Sequence, residues 1–115
     1  MQALYHAYWE HSGAERALNR ALLDRFRLDG RRYGFRPVVM FIPGRSDTPH
    51  DRERRLWLRQ YCDGNGVPYL DLTDALHAAG VEQVYARNNP HWNEAGHRLA
   101  AERLRQLLSV TLGRR

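Results

Sequence analysis

Pro37-Val38-Val39-Met40-Phe41-Ile42-Pro43 is the stretch on which the fold turns. Five consecutive apolar residues, mostly β-branched or aromatic, stand between two prolines and run into Gly44. A strand with one solvated face alternates apolar with polar residues. An unbroken apolar run of this length predicts a strand covered on both faces, as in a parallel sheet flanked by helices.

The next segments fit that frame. Thr48-Pro49 supplies an N-cap and a proline at the first helical position. The helix is expected to reach about Asp63, with Leu56, Tyr61 and Trp57 or Leu58 facing inward, and to end at Gly64-Asn65-Gly66. Val67 to Leu72 reads as a second short strand, and Thr73 as the cap of a short helix over Asp74–Ala79 that Gly80 closes. Val81–Ala86 reads as a third strand or an extended segment, and residues 87–92 as a loop. Asn93 is expected to cap a last helix to about Leu108, with Ala100, Leu104, Leu107 and Leu108 on one face and Arg98 and Glu102 placed to pair.

Upstream of the strand, Ser12-Gly13-Ala14-Glu15 has the form of a capping box. Leu18, Leu22 and Phe26 follow at steps of four, the spacing of a helix that buries one face, and Gly30 is its expected stop. The aromatic stretch Leu4–Trp9 predicts a short helix or a tail packed on the body. No internal repeat and no linker interrupts the series. Residues 1–115 therefore read as a single small α/β module, a layered α/β/α arrangement with a short parallel sheet and helices on both faces. Ligands of such folds sit beyond the C-terminal ends of the strands, which singles out the loops at 43–49, 71–74 and 87–93.

Composition narrows the function classes. With 115 residues the chain falls short of the roughly 150 used as a prior for one domain, so two full-sized domains are excluded. Hydrophobic residues at 43% and charged residues at 27% are ordinary for a globular chain and argue against disorder. No apolar run approaches the roughly 18 residues of a membrane span. The N-terminus lacks the basic-then-apolar layout of a signal peptide, so the chain as given is not expected to be addressed for export, although a parent protein could be; the compartment is left open, cytoplasmic only by default. The single cysteine, Cys62, can form neither an internal disulfide nor a cysteine-based zinc site, and is expected as a small buried hydrophobe in the helix. A net charge of +5 invites a nucleic-acid partner. All 18 basic residues are arginines, however, and they are dispersed; Arg52, Arg54 and Arg55 cluster only in alternation with Asp51 and Glu53. A solvated helix face explains them better than a nucleic-acid surface.

The most informative stretch is Asn88-Asn89-Pro90-His91-Trp92-Asn93-Glu94-Ala95-Gly96-His97. It sets an imidazole just ahead of a helix N-terminus, a placement that suits either a general base or an ordinary loop histidine. His97, on the helix, is expected to make a structural hydrogen bond. His91 and His97 lack a recognised zinc spacing and an evident third ligand, so no metal and no cofactor is expected. Asp71 and Asp74 are placed as helix caps or as an auxiliary carboxylate for His91. Trp92 reads as a core or interface anchor, and Arg45 as an exposed residue or a contact for an anion.

The string "NNPHWNEAGHRLAAERL" resembles the C-terminal block of SGNH-type (GDSL-like) hydrolases. "PVVMFIPGRSD" is similar to a late central strand and its loop in that family, and "YCDGNGVPYLDLTDAL" to the next helix and strand, so the resemblance spans about Phe35 to Leu108. It implies a partial SGNH, flavodoxin-like sheet. His91 matches the catalytic histidine that takes a proton from the nucleophilic serine. Asn88 or Asn89 stands where the family has the orienting aspartate, and Gly96 matches a small residue that lets the last helix start close to the core. The Gly-Asp-Ser block and the two oxyanion-hole blocks have no counterpart here. Gly44-Arg45-Ser46-Asp47 echoes the serine turn, and Ser46 is carried as a candidate nucleophile, although too few positions separate it from His91 for the family's intervening strands.

The expectation is a module carrying the histidine part of an ester-hydrolysing or acyl-transfer site, inactive alone, and forming the C-terminal portion of a larger domain. Its partners would be an acyl-ester substrate and either a second copy of the chain or an N-terminal portion. A non-catalytic binding or assembly module, self-associating or, as the less favoured form, nucleic-acid binding, is the alternative.

Overall fold

A computed structural model describes residues 13–113 of the chain. Ser12 and the aromatic segment with Tyr5, Tyr8 and Trp9 lie outside the described residues. The chain divides into two compact units, Met1–Pro37 and Val38–Arg115.

In the first unit, helix α1 spans Ala14–Tyr33. It runs through Gly30, the expected stop, and ends at Gly34, which holds a left-handed conformation (φ 82°) and donates its N–H to the Gly30 carbonyl. Gly30 has a different task. The chain returning after Gly34 lies against the helix at this point, and a Cβ on Gly30 would stand 2.7 Å from the Phe35 carbonyl oxygen. The ring of Phe35 packs on that of Phe26 with centroids 5.3 Å apart. Leu18, Leu22 and Phe26 nonetheless remain 55%, 59% and 42% exposed, where the periodicity predicts burial. The returning chain is short and reaches only the Phe26–Gly30 end of the stripe.

In the second unit the element order is β1 (Val39–Phe41), α2 (Pro49–Asn65), β2 (Tyr69–Asp71), α3 (Thr73–Ala79), α4 (Val81–Val84) and α5 (Glu94–Leu112). This is a small α/β fold, mostly helical. The strands pair in parallel, Val39 with Tyr69, Met40 with Leu70 and Phe41 with Asp71, and form a two-stranded sheet among the described residues. The residues of β1 are half-buried rather than fully covered, because a strand in a pair keeps one unpaired edge.

Local chemistry sets the helix ends. The Thr48 hydroxyl accepts the Asp51 N–H at 3.1 Å, and Gly66 closes α2 in the left-handed region. Along α2, Tyr61 and Cys62 are buried, whereas Leu56 is 57% exposed and does not face inward. Asp71 takes the capping role expected of Thr73: its Oδ1 accepts the Thr73 N–H at 2.9 Å. The third strand read into Val81–Ala86 is instead a helical turn, in which Tyr85 donates its N–H to the Val81 carbonyl; the chain is extended only from Tyr85. Asn93 caps α5 by accepting the Gly96 N–H at 3.0 Å. Arg98 pairs with Glu94 at 2.8 Å rather than with Glu102, the orientation with glutamate N-terminal to the cation that a helix favours. Glu102 pairs with Arg105.

The core of this unit comprises Leu72, Leu76, Val84, Tyr85 and Ala100, with Met40, Leu70, Val81, Trp92 and Leu99 packed against it. Leu72 and Leu76 are fully buried, each a stabilisation of about 1.5–3 kcal/mol by transfer from water. Gly96 permits this packing, since a Cβ there would lie 2.3 Å from the Val84 carbonyl oxygen and 2.9 Å from Trp92 Cβ. No helix among the described residues is long and apolar enough to cross a membrane.

Gly96→Ala should therefore lower the unfolding free energy by about 1–3 kcal/mol, as overpacking does. Gly64→Ala, in a helix with open space where its Cβ would go, should be neutral or stabilising by up to about 1 kcal/mol. Urea unfolding followed by circular dichroism measures both, and equal midpoints for the two variants would refute the close-approach account.

Candidate functional site

The chain leaves the C-terminal end of β1 through Pro43 and Gly44, and three side chains hold this exit in place. Tyr85 donates its hydroxyl to the Pro43 and Gly44 carbonyls, each at 2.9 Å. His77 Nε2 lies 3.0 Å from the same Gly44 carbonyl. A carbonyl only accepts, so this contact requires the proton on Nε2.

Arg45 turns back across the following loop. Its Nη1 donates to the Ala86 carbonyl at 3.0 Å and to the Asn89 carbonyl at 3.3 Å, and its Nη2 meets the Glu82 carboxylate. Its guanidinium lies over the Tyr85 ring, 5.8 Å from the centroid. Arg45 thus fastens the exit of β1 to the turn that carries His91. It is neither an idle surface arginine nor a free anion contact.

The turn itself is a narrow loop closed by backbone. Tyr85 and Trp92 form an antiparallel bridge, and Ala86 donates its N–H to the His91 carbonyl at 2.9 Å. Asn88 adopts φ 54°, a left-handed conformation that asparagine tolerates better than most side chains. The Asn89 Oδ1 accepts the His91 N–H at 2.9 Å. Asn89 therefore orients the His91 backbone and not its ring.

Ser46, Asn88 and Asn89 come together with Gly44, Arg45, Thr48, Asp51 and Pro90 around an open cleft of about 420 Å³. His91 follows on the turn but does not line this cleft; the residue is exposed, and its imidazole makes no hydrogen bond to a described residue. No hydrogen bond joins Ser46 to it. Asp71 does not serve His91 either, since its Oδ1 takes the Thr73 N–H and its Oδ2 the Arg55 guanidinium at 3.1 Å. His97 stacks edge-on against Trp92, with centroids 5.2 Å apart, in place of the expected hydrogen bond.

Beside the cleft, Arg55 joins Asp71 to Asp47, whose two carboxylate oxygens each lie 2.9 Å from Nη2. Burial works against the Arg55 charge, but the two carboxylates outweigh it and raise its pKa above the ordinary arginine value. The trio ties the loop after β1, helix α2 and the end of β2 together through a guanidinium that stays charged. Among the described residues no group of three or more histidine, cysteine or acidic side chains could hold a metal ion.

Sequence patterns single out the turn and its asparagines. They do not reveal Arg45, His77 and Tyr85 as struts, because their partners lie 33 to 44 residues away. The Arg–Asp trio is equally silent in sequence, where Arg55 looks like one member of a solvated charge run.

Burial pushes the Tyr85 phenol above its ordinary value, an effect that Trp92 and Arg45 oppose. The neutral phenol is the form that donates to the β1 exit. Its contribution is present below the ordinary phenol range near 10 and is lost as pH rises through the higher folded-state value. Tyr85→Phe should cost about 1–3 kcal/mol at neutral pH and should flatten the fall in stability above pH ~10. Urea unfolding across alkaline pH tests this, and an unchanged alkaline slope would refute it.

Comparison with protein-family models, with curated proteins and with solved structures returned no match for this chain.

Proposed function

We propose that the chain carries the histidine side of an SGNH-type acyl-ester site. His91 would take the proton from a serine that a Gly-Asp-Ser block supplies. One observation carries the reading: the turn ending in His91 is fastened by Arg45 to the loop leaving the C-terminal end of β1. That is where α/β folds bind ligands. In this reading β1 and β2 belong to a layered α/β/α, flavodoxin-like sheet with helices on both faces. His91 is exposed, and its imidazole makes no hydrogen bond to a described residue.

Two departures set the expected level of activity. Asn89 is committed to the His91 N–H, and no carboxylate orients the ring; in a serine triad that loss costs about 10⁴ in rate. Ser46 shares the cleft with Asn88 and Asn89 but has no hydrogen bond to His91, so it is not activated as a nucleophile. On its own the chain is inactive.

A second reading, a non-catalytic binding or assembly module, draws on the same asparagines, which shape the turn without serving the ring. Nucleic-acid binding is the less favoured form of this second reading. Arg25, Arg45, Arg55, Arg98 and Arg105 pair with carboxylates of their own chain, which lowers the cationic charge on offer to phosphates.

The purified chain should hydrolyse a short-chain nitrophenyl ester no faster than buffer, and Asn89→Asp alone should add nothing, since nucleophile and oxyanion donors act as a unit with the histidine. Co-expressed with the Gly-Asp-Ser-bearing portion of an SGNH hydrolase, it should gain turnover that His91→Ala lowers by about 10³–10⁴. Complemented turnover that survives His91→Ala would overturn the histidine assignment, and turnover by the chain alone would show that Ser46 is already in place.

A further inference from the structure

Apart from Pro90, every side chain that lines the cleft between the β1 exit and the His91 turn is polar. Most of these groups are not used within the fold. The side chains of Ser46, Asp51 and Asn88 make no hydrogen bond or ion pair among the described residues. The Asn89 Oδ1 takes the His91 N–H, which fixes the amide and leaves its Nδ2 to donate. The Thr48 Oγ1 accepts the Asp51 N–H and keeps its own O–H as a donor. Asn88 holds a left-handed backbone at φ 54°, a conformation that glycine adopts without steric cost, yet the position carries an amide that lines the cleft. The walls are also held in advance. Arg45 bonds the Ala86 and Asn89 carbonyls, and Asp47, next to Ser46, is paired with Arg55. Groups fixed in this way lose little freedom when a ligand arrives.

The chemistry of the lining selects among ligands. A hydrocarbon chain would meet only the Pro90 ring and would leave the polar groups beneath it without partners. An anion finds no available cation. Arg45, the one cationic residue of the lining, already bonds two carbonyls and Glu82, and Asp51 adds a negative charge. Nor does the start of α2 offer backbone donors to an anion: Pro49 has none, and the Asp51 and Arg52 N–H groups are taken by Thr48. A cation would be drawn by Asp51 and repelled by Arg45. What remains is a mixed set, with donors on Ser46, Thr48, Asn88 and Asn89 and acceptors on Asp51, Ser46 and Asn88. Neighbouring hydroxyl groups each donate and accept, so they can satisfy both halves of such a set at once, while Pro90 offers an apolar surface to the C–H face of a ring.

We propose that this cleft binds a neutral polyhydroxylated ligand, a single sugar ring or a cyclic polyol, through Ser46, Asp51, Asn88 and Asn89. Its volume of about 420 Å³ lies within the range of small-molecule sites. Binding of this kind does not depend on ester chemistry at His91.

Heteronuclear NMR of the full chain, titrated with D-glucose, D-galactose, D-mannose and myo-inositol, tests this. One or more of these polyols should cause saturable shifts of the backbone amides at Ser46 and Asp51 and of the side-chain NH₂ signals of Asn88 and Asn89, with a dissociation constant on the order of 1–10 mM. Asn88→Gly suits the left-handed backbone, so it should leave the circular dichroism unchanged while it weakens binding about three- to tenfold. Asp51→Asn keeps the Thr48 cap, which uses the backbone of Asp51, and should weaken binding about tenfold. Inorganic phosphate and hexanoate probe the two rejected chemistries. The proposal is overturned by the absence of saturable shifts with all of the polyols, by phosphate or hexanoate binding at these residues as tightly as the best polyol, or by polyol binding that neither variant weakens. These experiments read binding without turnover, so their failure is distinct from failure of the His91 ester assay.

Discussion

The first turn of α5 passes so close to Val84 that a single methyl group would not fit between them, and Gly96 is the residue at that point. The rest of the second unit is arranged around this approach. It brings Ala100 into the core beside Leu72, Leu76 and Val84. It also fixes where α5 begins, and Asn93 then ties that beginning to the chain before the turn: its N–H bonds the Val84 carbonyl and its Nδ2 the Gln83 carbonyl. With both ends of residues 85–93 anchored, the intervening turn has little freedom, and Asn88 accepts a left-handed backbone to complete it.

The same anchoring delivers Tyr85 to the base of the β1 exit. A phenol buried there must find acceptors or forfeit its hydrogen bonds to water, and the Pro43 and Gly44 carbonyls, which no strand neighbour satisfies, provide them. Arg45 then closes the loop from above, through carbonyls of the turn and the carboxylate of Glu82. Several neutral hydrogen bonds and one charged pair thus convert two surface loops, which by themselves would be variable in conformation, into one held substructure. This is the physical basis for treating the C-terminal end of β1 and the His91 turn as one site.

Charge plays a structural part in this unit more than a recruiting one. The Arg55 side chain is only 17% exposed: its guanidinium loses solvation, yet the carboxylates of Asp47 and Asp71 keep it charged and make it a joint between three elements. Removal of either partner would leave a poorly solvated charge, which is more costly than the pair is stabilising. The surface pairs along α5, Arg98 with Glu94 and Arg105 with Glu102, are exposed and contribute little beyond local helix support.

Features carried by neighbouring residues were legible in the sequence. The Thr48-Pro49 helix start, the Asn93 cap, the buried Cys62, the two parallel strands and the small residue at Gly96 follow from capping chemistry, apolar runs and resemblance, each settled within a few positions. Three readings failed where packing against chain outside the segment decided the outcome. Gly30 looked like a helix stop, but its missing Cβ makes room for Phe35; Val81–Val84 looked extended, but the core accepts it as a helical turn; and the Leu18–Leu22–Phe26 stripe, helical as its spacing requires, stays exposed because the returning chain covers only one end. The site divides in the same way. The turn with Asn88, Asn89 and His91 was visible as a motif, whereas the struts Arg45, His77 and Tyr85 were not, since a hydrogen bond to a backbone carbonyl some forty residues away leaves no pattern in the chain that donates it. Sequence determines what a segment can be locally; only the tertiary structure decides which polar groups it will meet, because those partners are brought within reach by burial of the core.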